Sequence, residues 1–370
     1  MGKASGEPRR SNSGEAPARL SRCLVACLAL LAAVAPWGAL ATAATPSGPR
    51  LAVMRWSAGA QPFAIQTIDP SGGSVRSLPA ARLPEGLRPA PFYSPSWSPD
   101  GDRLAYTVLA GEKNGALSSG LRPRIALVSL GGGRPSLVPA GGFGPVFAPD
   151  GKTIAFARQP LDLRSNEGEL DLTSESTSIW LADLASGRLR QLTPWRSGVE
   201  NVPSSFSPDG SVLAFSRTRE ENHRALAMPV AGGPATVLAR AATEPVFSPD
   251  GERVAFLRGR RTIFQYPESE VSAFVTDLFV ARSDGSEARR LTDTPGAREL
   301  SPSWDPSGAR LAYTEAKLRP AAALFGFGDT VVQANADGSC RTEVLSAPRA
   351  AYFGPAWQPG PGREAAPLSC

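Results

Sequence analysis

The chain has 370 residues, among them 37 Gly and 36 Pro, with 42% hydrophobic residues and a formal net charge of +5. The apolar share suffices for a sizeable core and argues against global disorder. The Gly and Pro share, about a fifth, predicts many turns without reaching low complexity. Lys3, Arg9, Arg10, Arg19 and Arg22 face only Glu7 and Glu15 in the first 44 residues, so much of the positive excess sits there. What remains is too small for a nucleic-acid footprint, and no nucleic-acid partner is expected. A single histidine, His223, argues against zinc sites and triads that draw on several. The four cysteines contain no CxxC pair. No metal and no cofactor are expected.

In chain order, Arg19 and Arg22 precede an apolar run from Leu24 to Ala35, which continues more weakly to Ala44 past Pro36. Ala39-Leu40-Ala41 and Ala41-Thr42-Ala43 follow as A-x-A cleavage sites. Basic start, apolar middle and small-residue exit describe a secretory signal. The same stretch, residues 24–44, is also long enough to stay as a membrane anchor. Leu24-Val25-Ala26-Cys27 resembles a lipoprotein box, although the apolar run comes after it rather than before. Residues 1–43 are therefore read as export signal or membrane anchor, with 44–50 as a linker. The protein is placed in the periplasm or outside the cell, or on the cytoplasmic membrane if the segment is kept. In such a compartment Cys340 and Cys370, near the C-terminus, either form a disulfide or remain free thiols.

A phrase recurs about every fifty residues. It reads Pro95-Ser96-Trp97-Ser98-Pro99-Asp100-Gly101, then Pro145-Val146-Phe147-Ala148-Pro149-Asp150-Gly151, then Ser205-Phe206-Ser207-Pro208-Asp209-Gly210. It returns around Phe247 and in degraded form around Trp304 and Trp357. Five copies are followed by one strand recipe: Leu104-Ala105-Tyr106, Ile154-Ala155-Phe156, Leu213-Ala214-Phe215, Val254-Ala255-Phe256 and Leu311-Ala312-Tyr313. The last copy lacks that strand, and Leu51-Ala52-Val53 is such a strand without a preceding phrase. Hairpins with Gly-containing turns, such as those at Asp284-Gly285 and Asp337-Gly338, supply two more strands per unit. Four strands, A to D, repeated six times predict an all-β fold, a six-bladed β-propeller of four-stranded antiparallel sheets spanning 51–360, with 361–370 as a tail. The split unit predicts closure by the C-terminal strand near Trp357 pairing with Leu51–Trp56 in the first blade.

Ser-Pro-Asp-Gly suits a type I turn from strand A to strand B, with Pro setting φ and Gly accepting the left-handed region. Asp100, Asp150, Asp209 and Asp250 are thus structural rather than catalytic. In the next strand, Leu104 and Tyr106 share one face and Ala105 takes the other, a size pattern that lets twisted sheets pack.

These phrases resemble the PD40 (WD40-like) repeat of TolB-like six-bladed propellers, and the Leu-Thr pairs at Leu192-Thr193 and Leu291-Thr292 fit the same pattern. The resemblance implies a periplasmic propeller that binds envelope proteins or lipoproteins. The stretch between signal and first strand is too short for the N-terminal domain of TolB. Propeller peptidases are also in the family, but no Gly-x-Ser-x-Gly elbow occurs here.

The A–B and C–D turns are short and uniform, whereas the B–C and D–A loops on the opposite rim vary in length, as at 111–122, 161–178, 258–276 and 317–328. Binding residues concentrate on such loops. The candidate contact set is Trp195, Arg196 and Glu200 on one D–A loop, Arg298 and Glu299 on another, Arg349 and Tyr352 on a third, and His223 in a short B–C loop. Trp, Tyr and Arg dominate interface hot spots. The function expected is a non-catalytic protein-binding scaffold in the cell envelope, with a glycan as the second ligand class. Alternatives are a sensor ectodomain, or a hydrolase or lyase using Glu200, Glu244 and Glu299 as acids and bases.

Overall fold

The computed structural model describes residues 50–57, 63–71, 74–78, 87–89, 94–110, 122–131, 135–159, 176–266, 269–317, 330–346, 350–360 and 366–370. The described residues all belong to one compact unit, Pro46–Cys370. They form six antiparallel sheets and no helix.

Blade 1 is shared by the two ends of the chain. Its strand A is Ala350–Trp357, and Leu51–Ser57, Phe63–Ile68 and Val75–Ser77 follow as B, C and D. Leu51 stands opposite Trp357 and Trp56 opposite Ala351, so the last strand closes the ring as the repeats predict. Blades 3 to 6 run in chain order from A strands at Phe143–Phe147, Glu200–Phe206, Ala242–Phe247 and Ala297–Trp304. In blade 2 the A position is split between Leu87–Pro89 and Ser96–Trp97, both paired with Arg103–Ala110, which makes that sheet five-stranded. Neighbouring A strands touch around the axis, those of blades 1 and 2 included.

The core lies between blades rather than inside them. Each interface joins the alanine of one B strand to the bulky pair of the next: Ala52 with Leu104 and Tyr106, then Ala105 with Ile154 and Phe156. Ala155 meets Leu213 and Phe215, and Ala214 meets Val254 and Phe256. Ala255 meets Leu311 and Tyr313, and Ala312 meets Leu51 and Val53 to complete the circle. Strand alternation puts the small and the bulky groups on opposite faces, so every sheet is socket on one side and knob on the other.

The A–B turns form a second ring. Gly101, Gly210, Gly251 and Gly308 each donate N–H to the residue three before, at 2.8–2.9 Å, with φ of 72–75°. Ser98, Ser207 and Ser248 donate their hydroxyls to Asp100, Asp209 and Asp250 inside the same turns. Each turn also packs on the one before it: Gly151 on Pro99, Gly210 on Pro149, Gly251 on Pro208 and Gly308 on Pro249. Arg103 lies over Phe147 of the next blade and donates to Gly151 O at 2.9 Å. Arg253 does the same with Trp304 and Gly308 O. Gln358, just past the closing strand, donates to Gly101 O at 2.7 Å and seals blade 1 to blade 2.

Beyond closure, Cys340 and Cys370 form a disulfide with Cα atoms 5.3 Å apart. Leu368 also exchanges backbone bonds with the Asn335 side chain at 2.7 and 3.0 Å, so the tail is fixed to blade 6.

Gly285 tests the blade spacing. A Cβ there would lie 2.1 Å from Leu238 O in the neighbouring blade, at a φ of +87°. Gly285→Ala is expected to lower stability by more than about 2 kcal/mol, read by denaturant unfolding, whereas Gly198→Ala, with open space around it, is expected to cost about 1 kcal/mol for its backbone alone.

Candidate functional site

The rim between blades 3 and 4 is built from a pinned crossing. At the end of strand D of blade 3, Leu192 N donates to Ile179 O at 2.8 Å, and Thr193 Oγ1 accepts Ile179 N–H at 2.8 Å. The chain then turns through Gly198, whose N–H goes to Ser176 Oγ at 2.9 Å, and Val199 N closes on Arg196 O at 3.1 Å. This short, bonded crossing holds Trp195 outward at 45% exposure, with Arg196 exposed beside it.

Asn201 anchors the start of the next A strand. Its side chain donates to Thr177 O at 3.0 Å and accepts from Arg217 Nε at 2.8 Å. Its backbone N–H goes to Thr177 Oγ1, which in turn donates to Asn201 O, both at 2.8 Å. Glu200 begins that strand opposite Thr218 and is half-buried. Across the rim, strands B and C of blade 4 join through Glu220-Glu221, and Thr218 Oγ1 and His223 Nδ1 are 3.1 Å apart. Burial lowers the His223 pKa below its ordinary 6.5, with Glu221 opposing, so the ring is neutral at pH 7. A cavity of 630 Å³ opens here, lined by Arg196, Arg217, Arg219, Glu220 and Arg224 among others.

The other candidates lie elsewhere. Arg298 and Glu299 belong to strand A of blade 6 rather than to a loop. Glu299 is fully buried. Burial pushes its pKa up to about 7, the Thr294 hydroxyl offsetting part of that and Asp277 adding to it. Glu315, directly opposite, is buried and held by Arg341. Glu244 accepts Ser301 N–H at 2.9 Å, and burial raises its pKa against the pull of Arg298. Tyr352 sits within strand A of blade 1, 3% exposed, packed with Leu51, Val53 and Val331. Its place is the blade 6–blade 1 core and not a loop. Arg349 lies outside the described residues.

Of the candidates, Arg196 lines this cavity and Trp195 precedes it on the crossing. Glu200 and His223 lie in strands A and C of blade 4 rather than in loops, both in register with Thr218 and so on the sheet face away from Arg217 and Arg224. Arg298, Glu299 and Tyr352 lie in the A strands of blades 6 and 1. Arg217, Arg219 and Arg224 are the rim residues that the loop-based reading missed. Their sequence signal was the alternation Arg217-Thr218-Arg219, which puts two cations on one face of a strand end. The 258–276 segment, read as a long loop, is a hairpin in which Arg253–Tyr266 and Ser269–Arg282 stay paired to Tyr266 and Ser269. The variable segments at 111–121, 160–175 and 318–329 lie outside the described residues.

A family model, PD40, the TolB beta propeller domain, matches residues 57–273. The chain belongs to this family. As a TolB-type propeller it is similar in fold to TolB from Acinetobacter baumannii, at 21% identity and a TM-score of 0.59, covering 84% of this chain and 67% of that one. A putative TolB from Agrobacterium tumefaciens matches at 18% identity and a TM-score of 0.53, over 85% of this chain and all of that one. A chain of a nidogen/laminin complex matches at 12% identity and a TM-score of 0.54, over 84% and 98%.

Glu299 gives this TolB-type propeller a pH-dependent term. The carboxyl titrates near 4.5 in the unfolded chain and at about 7 in the fold, so the native state keeps a proton that the unfolded state releases. Its contribution is complete below the unfolded value, shrinks as the pH rises between the two, and is lost above about pH 7. Glu299→Gln is expected to flatten this decline and to raise stability at about pH 8 by on the order of 3 kcal/mol. Denaturant midpoints measured from pH 5 to pH 8 check it; parallel curves for the two proteins are the contrary result.

Proposed function

We propose that this TolB-type propeller is an exported, non-catalytic scaffold whose rim between blades 3 and 4 binds a protein of the cell envelope, a lipoprotein included. The observation that carries the reading is Trp195, a large aromatic held 45% exposed by a bonded crossing. Exposed Trp flanked by Arg is the composition of interface hot spots. The acidic groups point away from catalysis. Hydrogen bonds from Ser98 and Ser207 hold Asp100 and Asp209 below the usual carboxylate range inside their turns. Burial that raises Glu299 also removes it from any substrate. Export rests on the basic, apolar and small-residue order of residues 19–43. Among the described residues no helix is long and apolar enough to cross a membrane.

Two measurements test the reading. N-terminal sequencing of the protein recovered from the periplasm is expected to begin after Ala41 or Ala43; an intact leader makes it an anchored ectodomain instead. Trp195→Ala is expected to cost about 2 kcal/mol of affinity for the envelope partner recovered with it. Unchanged affinity in a folded variant overturns the rim as the contact surface.

A further inference from the structure

Blade 4 carries a row of like charges. Arg217 of strand B stands directly opposite Arg224 of strand C, and Arg224 directly opposite Arg240 of strand D. Directly opposed residues share one face of a sheet, and like charges so placed repel. Arg196 enters the same cavity from blade 3, and Arg219 from the end of strand B. Against these, Glu220 is the one acidic residue among those that line it. The repulsion is felt at Arg217: burial first, then Arg196 and Arg224, pull its pKa below the ordinary guanidinium value.

Other arginines of the propeller have acidic partners. Arg290 pairs with Asp277 and Asp293 at 2.7 and 2.6 Å, Arg341 with Glu315, and Arg282 with Glu287 at 3.4 Å. Among the described residues no ion pair joins Arg196, Arg217, Arg219 or Arg224 to a carboxylate. Guanidinium groups that outnumber the one carboxylate beside them form a fork-shaped receptor for oxyanions.

The rest of the lining decides which oxyanion carrier fits. The apolar part of the lining comes from Leu192, Pro194, Val199 and Met228, with Ala235. Two of the lining's three neutral polar side chains are already committed, Thr193 Oγ1 to Ile179 N and the Asn201 side chain to Thr177 O and Arg217, which leaves Asn222. Sugar hydroxyls need neutral donors and acceptors, of which little is left. Carboxylates alternating with apolar side chains match both the guanidiniums and the apolar part of the lining. We propose that this cavity binds an acidic peptide segment, its Asp or Glu carboxylates seated on Arg196, Arg217 and Arg224. The inference rests on the protein-binding reading above and gives that rim its partner chemistry.

The test uses the full chain and a synthetic six-residue peptide of alternating Glu and Leu, titrated by calorimetry at low and at physiological salt. Binding that strengthens as salt falls is expected. Arg224→Gln and Arg196→Gln are each expected to weaken it by about tenfold or more. Arg224→Gln is also expected to raise the melting temperature of the ligand-free protein, because a repulsive pair is gone. Equal binding of a Gln-Leu peptide, or unchanged affinity in Arg224→Gln, overturns the proposal, as does a lower melting temperature for that variant without ligand. Tighter binding of an oligogalacturonate than of the peptide overturns the peptide assignment in favour of a glycan. An envelope partner that depends on Trp195 but binds Arg196→Gln and Arg224→Gln at full strength sinks the acidic specificity alone. No protein bound at the rim sinks both readings.

Discussion

The structure depends on one interlock, repeated six times: an alanine of one second strand received under the bulky pair of the next. A β-sheet with side chains on both faces has two surfaces to cover, and here each covers one surface of its neighbour. Enlarging the alanine fills the space that lets two twisted sheets approach, and shrinking the partner leaves a cavity. Because every apolar face is matched by a neighbour, no sheet has a core of its own. The ring is therefore the unit of stability, and a cut between any two blades uncovers both faces at once.

This arrangement explains which parts were readable from residues alone. The Leu-Ala-Phe recipe encodes size by face, and the structure uses it in that sense at Ala214 and Phe215. Closure was readable because Leu51-Ala52-Val53 lacked its partner phrase and Trp357 lacked its following strand. The site was harder to read. Arg298-Glu299 looks like a charged loop, yet the inner strand of blade 6 starts at Ala297, which leaves Arg298 half-buried and carries Glu299 inside. Tyr352 lies in an inner strand for the same reason, since strand boundaries are set by pairing with Arg55 and its neighbours rather than by polarity. Beyond the Arg217 and Arg219 alternation, the row from Arg217 through Arg224 to Arg240 depends on register between strands that sequence spacing does not give.

Equivalent positions of two blades show how a repeat frame diversifies. Asn201 faces Arg217 in blade 4, and the matching positions of blade 6 hold Glu299 facing Glu315. In blade 4 the amide and the guanidinium bond to each other and border an open cavity. In blade 6 two carboxyls face each other away from solvent, and one of them holds its proton near neutrality. The backbone is shared; the pair of side chains decides whether a blade borders an open cavity or closes on its own interior.

The shared first blade also sets a timetable. Of the described strands its innermost, Ala350–Trp357, is synthesised last, and the three it joins are synthesised first. Until it arrives, Leu51–Ser57 presents an unsatisfied row of amides and carbonyls, the type of border that recruits foreign strands. Joining ends so far apart in sequence is a slow step. A stop codon shortly before Ala350 would thus leave five finished blades and one permanently adhesive seam, with neither Gln358 to bridge to blade 2 nor Cys370 to fasten the tail.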